Sequence, residues 1–427
     1  MTSPAAHPVA ATNRHATEQG SNMAGFLRYA RTRYYPVAGT IATGSSGGTP
    51  ASNVTFSSDI PVVPAWMKSM TFEITLPINL TVPATSSVKV SPYFPYSAVI
   101  FGLTLAGSPP WDLITLVPWY LDEITSSRYL DPASSGVVPG AEAGQADPGP
   151  FVYSSSSFAP GSTITNATGA PVVTSGTVTF RARARFQRNP KLMFGCIPMG
   201  DPENRPRLNM QMSALVGPSP ENNAFQDTLG AGATAVLSGP GTVNIVIDGL
   251  SLDVLPPGVQ GIPTPIVGMG LAITYSTQTQ AAAGQFLKVR HSAAMLYEKV
   301  MHLLVNGQVG QRADYFGNWL TGEQQSARSE FDATQGTFNQ CYERILKRYR
   351  RYFPRGLYTL DFNTNTDPDD ASSDLYEAHQ TPDTGYAAEF GLPATPAWTT
   401  ALRIPTGTVM TNAYVAVYEF GTVNVPY

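Results

Sequence analysis

The sequence predicts an all-β chain built from antiparallel sandwiches or barrels. Residues 70–82 alternate between apolar and polar side chains, and residues 177–187 repeat the pattern with Arg181, Arg183 and Arg185 on one side. Successive side chains of a strand point to opposite faces, so each segment has one face for a core and one for a wetter surface. The 38 glycines and 37 prolines supply the turns that join many short strands.

The size and composition of the chain favour a structural role. Its 427 residues are too many for one small core and suit two domains of roughly 200 residues each. Charged residues make up 13%, against about 25% in ordinary soluble domains. Because few charges would have to lose water, such a surface suits packing against copies of itself. The net charge of −4 argues against non-specific binding of nucleic acid.

The sequence gives no sign of secretion or of a membrane span. Cys196 and Cys341 lie far apart and belong to no CxxC pair, which fits two free thiols in a reducing cytoplasm. The first 25 residues lack the apolar core of a signal peptide, and no apolar stretch is long enough to cross a bilayer. We therefore expect a soluble protein made inside a cell.

We expect three segments along the chain. Residues 1–50 are expected to form an N-terminal arm with a short basic helix over residues 23–35, which a proline ends. Residues 51–257 form the first β unit. A Pro-Pro-Gly run at 256–258 cannot continue a strand ladder, so the second unit is placed at residues 258–427.

The first unit is predicted to hold the longest regular strands. The apolar phase switches at Gly249, from odd positions before it to even positions after it, which marks a bulge. A short helical insertion is predicted over 109–124 and a long surface loop over 131–170. Strands are predicted at 53–60, 70–82, 97–105, 172–187, 191–197, 207–216 and 242–254.

The second unit begins again with strands and then changes character. Thr321 and Gln324 have capping-box spacing, and aromatic residues recur at helical spacing as far as Tyr349, so residues 321–352 are predicted to be helical. The final strand is apolar on both faces, which predicts a central position in its sheet. Strands are predicted at 267–275, 356–362, 386–392 and 408–420, and residues 286–305 fit strand, helix or one after the other.

The sequence patterns favour no catalytic, cofactor or metal chemistry. The five histidines have no metal-ligand spacing, and there is no GxSxG elbow. Asp361, Asn363, Asn365 and Asp367 alternate like the start of a calcium loop, but the glycine and the closing glutamate of such a loop are missing. We predict no catalytic residue, no bound cofactor and no metal site.

Two basic segments are the strongest candidates for contacts with other molecules. Guanidinium groups hold carboxylates and phosphates in a fixed fork, so these segments suit contacts with neighbouring subunits or with an anionic membrane surface. The alternatives are a solvated helix face and, less well supported in an acidic chain, a nucleic-acid site. The candidate residues are Phe26, Leu27, Arg28, Arg31 and Arg33 in the first segment, and Arg344, Lys347, Arg348, Arg350, Arg351 and Arg355 in the second.

Several segments resemble the tectivirus-type double jelly-roll major capsid proteins, in the same order along the chain. The run FPRGLY at residues 353–358 follows a basic segment, as an FPKG-like turn follows an arginine-rich helix in that family. Residues 413–420 resemble the family's last strand, and residues 252–256 resemble its passage from the first barrel to the second. The basic N-terminal segment followed by YYPV at 34–37 fits as well.

The resemblance implies two tandem eight-stranded jelly-roll β-sandwiches with short helical insertions and an N-terminal basic helix. It implies a structural major capsid protein, not an enzyme, which assembles as pseudo-hexagonal homotrimers into the icosahedral shell of a bacteriophage virion. The implied partners are neighbouring capsomers, penton and minor capsid proteins, and an inner viral membrane reached through the N-terminal helix. No direct contact with nucleic acid is expected, and the chain would pass through the host cytoplasm before assembly.

Two other classes of protein remain open at this point. A viral spike, or another carbohydrate- or receptor-binding β-sandwich, would need an aromatic-lined pocket, for which Trp111, Trp119 and Trp398 are candidates. A glycosidase would need two carboxylates facing each other across a cleft. The concentrated carboxylates of the first half, which we expect on a short exposed helix instead, are Asp112, Asp122 and Glu123.

Overall fold

The computed structural model shows a chain dominated by antiparallel β-sheets. Its described part also contains an α-helix and a short 3-10 turn at Tyr96–Ala98. The structure describes residues 30–42, 56–63, 65–105, 108–126, 157–187, 196–200, 205–227, 230–252, 267–277, 280–281, 286–290, 296–305, 321–325, 332–337, 357–361, 399–403, 410–411 and 414–424.

The first half contributes strands β1 to β13 and the helix α1 (Val117–Ser126). The longest strand, β3, is the segment in which apolar and polar residues alternate most regularly. The strands are β1 (Ala30–Ile41), β2 (Phe56–Asp59), β3 (Ala65–Val82), β4 (Ser86–Val90), β5 (Val99–Leu105), β6 (Ser108–Thr115), β7 (Thr163–Asn166), β8 (Val172–Arg185), β9 (Ile197–Pro198), β10 (Arg207–Met212), β11 (Phe225–Asp227), β12 (Thr234–Leu237) and β13 (Gly241–Leu252).

Two sheets of the first half pack face to face as a sandwich. The larger sheet runs β1-β13-β3-β8, with β12 and β9 also paired to β3, and the smaller runs β2-β10-β5-β6. Alternate residues of β3 from Met70 to Val82 are completely or almost completely buried. The ring of Phe72 on β3 lies 5.0 Å from that of Phe101 on β5, so the two inner faces share one core.

The second half repeats this arrangement in its described strands. One sheet runs β14-β23-β17-β20 and the other β16-β21-β18-β19, and β15 pairs with β22. The strands are β14 (Val267–Thr277), β15 (Gln280–Ala281), β16 (Phe286–Arg290), β17 (Leu296–Val305), β18 (Thr321–Gln325), β19 (Asp332–Thr337), β20 (Leu357–Asp361), β21 (Thr399–Arg403), β22 (Met410–Thr411) and β23 (Tyr414–Asn424).

The strand order is identical in the two halves. When the eight main strands of each half are numbered along the chain, one sheet reads 1-8-3-6 and the other 2-7-4-5 in both. This nested order of antiparallel strands, divided over two sheets, is the jelly roll. The prediction of two tandem eight-stranded jelly-roll sandwiches is therefore confirmed.

Several details of the strand prediction are also confirmed. The pairing of β13 with β3 shifts register between Asp248 and Gly249, which is the bulge expected from the change of apolar phase. The final strand β23 pairs with β14 on one side and β17 on the other, and Val415 to Phe420 are buried on both faces. Within the segment 286–305, which the sequence left open, Phe286–Arg290 and Leu296–Val305 are strands.

The predicted N-terminal helix is wrong from residue 30 onward. Residues 30–41 form β1, which pairs with β13 along its whole length, while residues 23–29 lie outside the described part. A twelve-residue ladder outweighs the weak helical periodicity of the segment. Pro36 is tolerated because β1 lies at the edge of its sheet among the described strands, and a proline at an edge need not interrupt the ladder.

Three other predicted elements need correction. Residues 321–325 and 332–337 are strands, not helix, because pairing with β21 and with each other overrides the local capping signal. The insertion at 109–124 begins with a strand, β6, and its helix covers only Val117–Ser126. The segment expected to be a loop contains β7, and the strand expected at 386–392 lies outside the described residues.

Substitution of Gly39 tests the contact between the first two strands of the sandwich. A Cβ atom at this position of β1 would overlap the ring of Phe56 on β2. We expect Gly39→Ala to lower the free energy of unfolding by about 1–3 kcal/mol, because the ring must shift. Denaturant unfolding measures the change. Gly169→Ala is the control, since a Cβ there meets no atom within 4 Å, and equal effects of both changes would contradict the expectation.

Candidate assembly surfaces

Helix α1 belongs to the first jelly roll and lies between it and the second. It follows β6 directly, packs beside β8 of its own roll, and contacts the sheet β14-β23-β17-β20 of the second roll. Residues 117 and 119–123 are all buried. The helix is thus covered on both sides, and its polar residues lie in the junction between the rolls.

Trp119 is the apolar centre of this junction. Its side chain is 0% exposed, and its ring lies 6.0 Å from the rings of both Phe101 and Phe186 in the first roll. On the other side it lies 5.9 Å from Phe420 on β23, at an angle of 72°. Such edge-to-face packing is favourable beyond the area it buries. One continuous apolar cluster therefore runs through both rolls.

A buried ion pair lies beside Trp119. Lys299 on β17 donates a hydrogen bond of 3.2 Å to Asp122 Oδ1 on α1, and each side chain is only 3% exposed. The next residue of the helix, Glu123, lies 3.8 Å from Arg183 on β8. Both carboxylates of the helix thus face a cation, one from each roll.

A second polar contact crosses the junction at Glu221. The Tyr414 hydroxyl on β23 donates to Glu221 Oε1 at 2.5 Å, and Asn222 Nδ2 donates to the same oxygen at 3.2 Å. Oε2 is buried and has no hydrogen-bond partner among the described residues. Burial raises the pKa of Glu221 from 4.5 to about 7, although the Tyr414 hydroxyl acts in the opposite direction.

The outer face of the larger sheet of the first roll is the candidate contact surface, and we call it the outer face. Its residues follow from the registers of β1, β13, β3 and β8. Nine of them, all except Pro36, Ala38 and Arg185, line a groove of about 480 Å³ on the surface. Across the sheet they stand in three rows: Tyr34, Asp248, Ser69 and Arg185; Pro36, Val246, Thr71 and Arg183; and Ala38, Asn244, Glu73 and Arg181.

The charged side chains of the outer face differ in whether they have an ion partner among the described residues. Arg183 has Glu123 as its ion partner and donates to Ser69 Oγ at 3.4 Å, and Asp248 lies 3.6 Å from Lys68. Arg181 and Glu73 stand directly opposite each other on β8 and β3, and both are exposed. Within the described part of the chain neither of these two forms an ion pair.

Two of the eleven predicted contact residues fall within the described part. Arg31 and Arg33 lie on β1 and are exposed. The remaining nine lie outside the described residues: Phe26, Leu27, Arg28, Arg344, Lys347, Arg348, Arg350, Arg351 and Arg355. Sequence reasoning identified the arginines of β8 as one face of a strand, but it missed Glu221 and Lys299. No local signal marks these two residues, because their partners lie more than 170 positions away in the chain.

Three of the residues weighed for other functions, Trp119, Asp122 and Glu123, have structural partners. Trp119 is completely buried, so it lines no carbohydrate pocket. The expectation that Asp122 and Glu123 lie on an exposed helix is wrong, since they are 2% and 8% exposed and face Lys299 and Arg183. Among the described residues, no three histidine, cysteine or acidic side chains are grouped where they could hold a metal ion. None of the described helices has both the length and the apolar character that crossing a bilayer requires.

Comparison with solved structures identifies the fold. The chain matches the major capsid protein of Sulfolobus turreted icosahedral virus with a TM-score of 0.51 and 11% identity, over 92% of this chain and 97% of that one. It matches the PBCV-1 protein VP54, as fitted into a reconstruction of the virophage Sputnik, with a TM-score of 0.51 and 11% identity, over 92% and 94% of the two chains. No protein-family model matches the sequence, and no curated protein matches it significantly.

The class defined by strand order and by these matches is the double jelly roll. The chain has the fold of the double jelly-roll major capsid proteins of icosahedral viruses, over nearly the full length of both. The fold predicted from the resemblance is thus confirmed.

The buried ion pair between the rolls can be tested by a double-mutant cycle. Lys299→Met leaves the Asp122 carboxylate buried, and we expect it to lower the free energy of unfolding by about 3 kcal/mol. Asp122→Leu combined with Lys299→Met should cost much less than the sum of the single changes, because no buried charge remains. Denaturant unfolding measures all three variants.

The control for this cycle is an exposed ion pair within the first roll. Arg207 lies 3.9 Å from Asp59, with side chains 60% and 57% exposed, so Arg207→Met should cost at most about 1 kcal/mol. A loss for Lys299→Met no larger than that of the control would contradict a structural role for the buried pair.

Glu221 makes the stability of the fold depend on pH. Between pH 4.5 and about 7 the folded chain keeps a proton that the unfolded chain has released. The stabilisation is therefore complete below pH 4.5 and is lost as pH rises through about 7, on the order of 3 kcal/mol in all. We expect Glu221→Gln to lack this component when unfolding is measured from pH 4 to pH 8.

The comparison variant is Tyr414→Phe. Loss of its hydroxyl removes a donor that favours the carboxylate, so the pKa of Glu221 should rise and the pH window should extend upward. A pH profile of Glu221→Gln that matches the unchanged protein would show that another group carries the effect.

Proposed function

We propose that this chain is the major capsid protein of an icosahedral virus and acts as a structural subunit. The observation that carries the proposal is the repetition of one strand order in two jelly rolls of a single chain. Three such chains would present six rolls, which gives a pseudo-hexagonal tile that can fill a shell. The likeness to two solved double jelly-roll proteins over nearly their whole lengths supports this reading.

The contacts at the junction between the rolls also support a structural role. A tile needs its two rolls held at one fixed angle, and a buried tryptophan, an ion pair and a tyrosine–glutamate hydrogen bond cross the junction. The acidic residues of α1 serve this contact and do not face a cleft. This arrangement favours a structural protein over an enzyme or a carbohydrate-binding protein.

The remaining parts of the proposal concern assembly. The subunit forms a homotrimer that meets neighbouring capsomers, penton and minor capsid proteins in the virion, after folding in the host cytoplasm. The first roll ends near residue 257 and the second begins near 258. The N-terminal segment with Phe26, Leu27, Arg28, Arg31 and Arg33, and the basic segment from Arg344 to Arg355, contact other subunits or an inner membrane.

The mass of the native protein across a dilution series tests the proposal. Light scattering of dilute protein should give three times the chain mass of 45.6 kDa and no smaller species on further dilution, and electron microscopy of concentrated protein should show hexagonal arrays. A monomer of 45.6 kDa, with a melting temperature that does not change with protein concentration, would contradict the capsid subunit.

A further inference from the structure

The outer face combines both signs of charge in a chain that otherwise carries few charges. Only 13% of its residues are charged, yet the face holds three arginines on β8, Glu73 on β3 and Asp248 on β13. The three arginines stand on β8 and the two carboxylates on β13 and β3, with neighbouring strands about 4.8 Å apart. Lys68 of β3 lies 3.6 Å from Asp248, so a positive column on β8 stands beside a column in which Glu73 is the carboxylate without an ion partner among the described residues.

Two of these charges are available for a partner. Arg183 and Asp248 already have Glu123 and Lys68 as ion partners, whereas Arg181 and Glu73 are exposed and form no ion pair among the described residues. Exposed apolar residues lie on the same face, with Tyr34 67% and Val246 39% exposed. Tyrosine and arginine next to exposed apolar surface are typical of protein contact surfaces.

The pattern of charges indicates what the partner is. A nucleic acid or an anionic membrane offers no cation to Glu73, whose carboxylate would face phosphate groups, whereas a second copy of this face offers both signs of charge. A face with separate positive and negative columns is complementary to itself after a two-fold rotation. We infer that the outer face binds the same face of a second copy of this chain, with Arg181 of each copy paired to Glu73 of the other.

The registers of the strands define this contact. A two-fold axis in the plane of contact, parallel to the strands and midway between β3 and β8, exchanges Arg181 and Glu73 between the copies. The same rotation places Arg183 opposite Thr71 and Arg185 opposite Ser69 of the second copy. Within the three rows no two like charges of β3 and β8 then face each other, and Lys68, which lies next to Ser69 in the chain, is paired with Asp248 of its own copy.

This inference rests on the proposed function and adds to it. A two-fold contact cannot form within a threefold trimer, so the outer face is the surface through which neighbouring trimers meet. Arg181 and Glu73 determine whether two trimers associate through this face, because two like charges buried in the contact would repel each other without solvent to screen them.

Two charge-reversed variants and their mixture test the inference. Arg181→Glu places two carboxylates at each contact, and Glu73→Arg places two cations there. We expect association between trimers of either variant alone to be at least about tenfold weaker than in the unchanged protein, which corresponds to about 1.4 kcal/mol. An equal mixture of the two variants restores opposite charges at both contacts, so it should associate nearly as well as the unchanged protein. Sedimentation and light scattering at increasing concentration measure the association.

The control variant is Arg207→Glu, which reverses an exposed charge on the other sheet of the first roll and should leave association between trimers unchanged. If unchanged trimers associate and Arg181→Glu trimers do so equally, or if the mixture restores nothing, this inference is overturned and the proposed trimer stands. If the unchanged protein is a monomer, the proposed function fails and this inference with it.

Folding of the variants is checked by their melting temperatures. Both side chains are exposed, and like charges across a strand pair cost at most about 1 kcal/mol. Should a reversal lower the melting temperature markedly, Arg181→Gln and Glu73→Gln take its place. Each neutral variant is expected to weaken association several-fold, and unchanged association of both would overturn the inference.

Discussion

The burial of helix α1 between the two jelly rolls is the constraint on which the shape of the subunit depends. Trp119 belongs to both cores at once, so the rolls cannot turn relative to each other without opening a cavity around its ring. Two apolar surfaces can shift relative to each other with little change in free energy, whereas an ion pair is favourable only at one relative position of its two side chains. The Lys299–Asp122 pair therefore defines the relative position of the two rolls, and the burial of Trp119 stabilises their contact.

The polar groups of the junction carry a cost that an apolar junction would avoid. A buried lysine, two buried carboxyl groups and a tyrosine hydroxyl must all lose water when the rolls meet. Partners from the opposite roll replace part of that water, so a junction with the wrong register removes the partner of Asp122 on β17 and the partner of Glu221 on β23. The buried polar groups therefore lower the stability of the junction but allow only one relative position of the rolls. A chain whose surface must match that of its neighbours needs such a fixed position.

The sequence was informative where a pattern depends on neighbours in the chain and misleading where it depends on distant ones. Alternation located β3 and β8, and the change of phase located the bulge at Gly249. The capping signal at Thr321 failed, because a strand from a distant part of the chain pairs with that segment. The polar side of α1 appeared to suit solvent, but its covering strand β17 lies more than 170 residues later in the chain. The arginines of the outer face were visible in the sequence, whereas their position opposite Glu73 follows only from the register of β3 and β8.

The edge strand β1 has a consequence for how copies of the chain avoid pairing with one another. Among the described strands β1 pairs only with β13, so no described strand covers its other side, and an unpaired edge of this kind is where an extended chain can add. Pro36 supplies no donor there, and Arg31 and Arg33 bring charges that two approaching edges would have to crowd together. At high protein concentration, pairing between two such edges would join copies of the chain into open-ended fibrils. A proline and two arginines on one strand thus act against edge-to-edge pairing of this chain with itself.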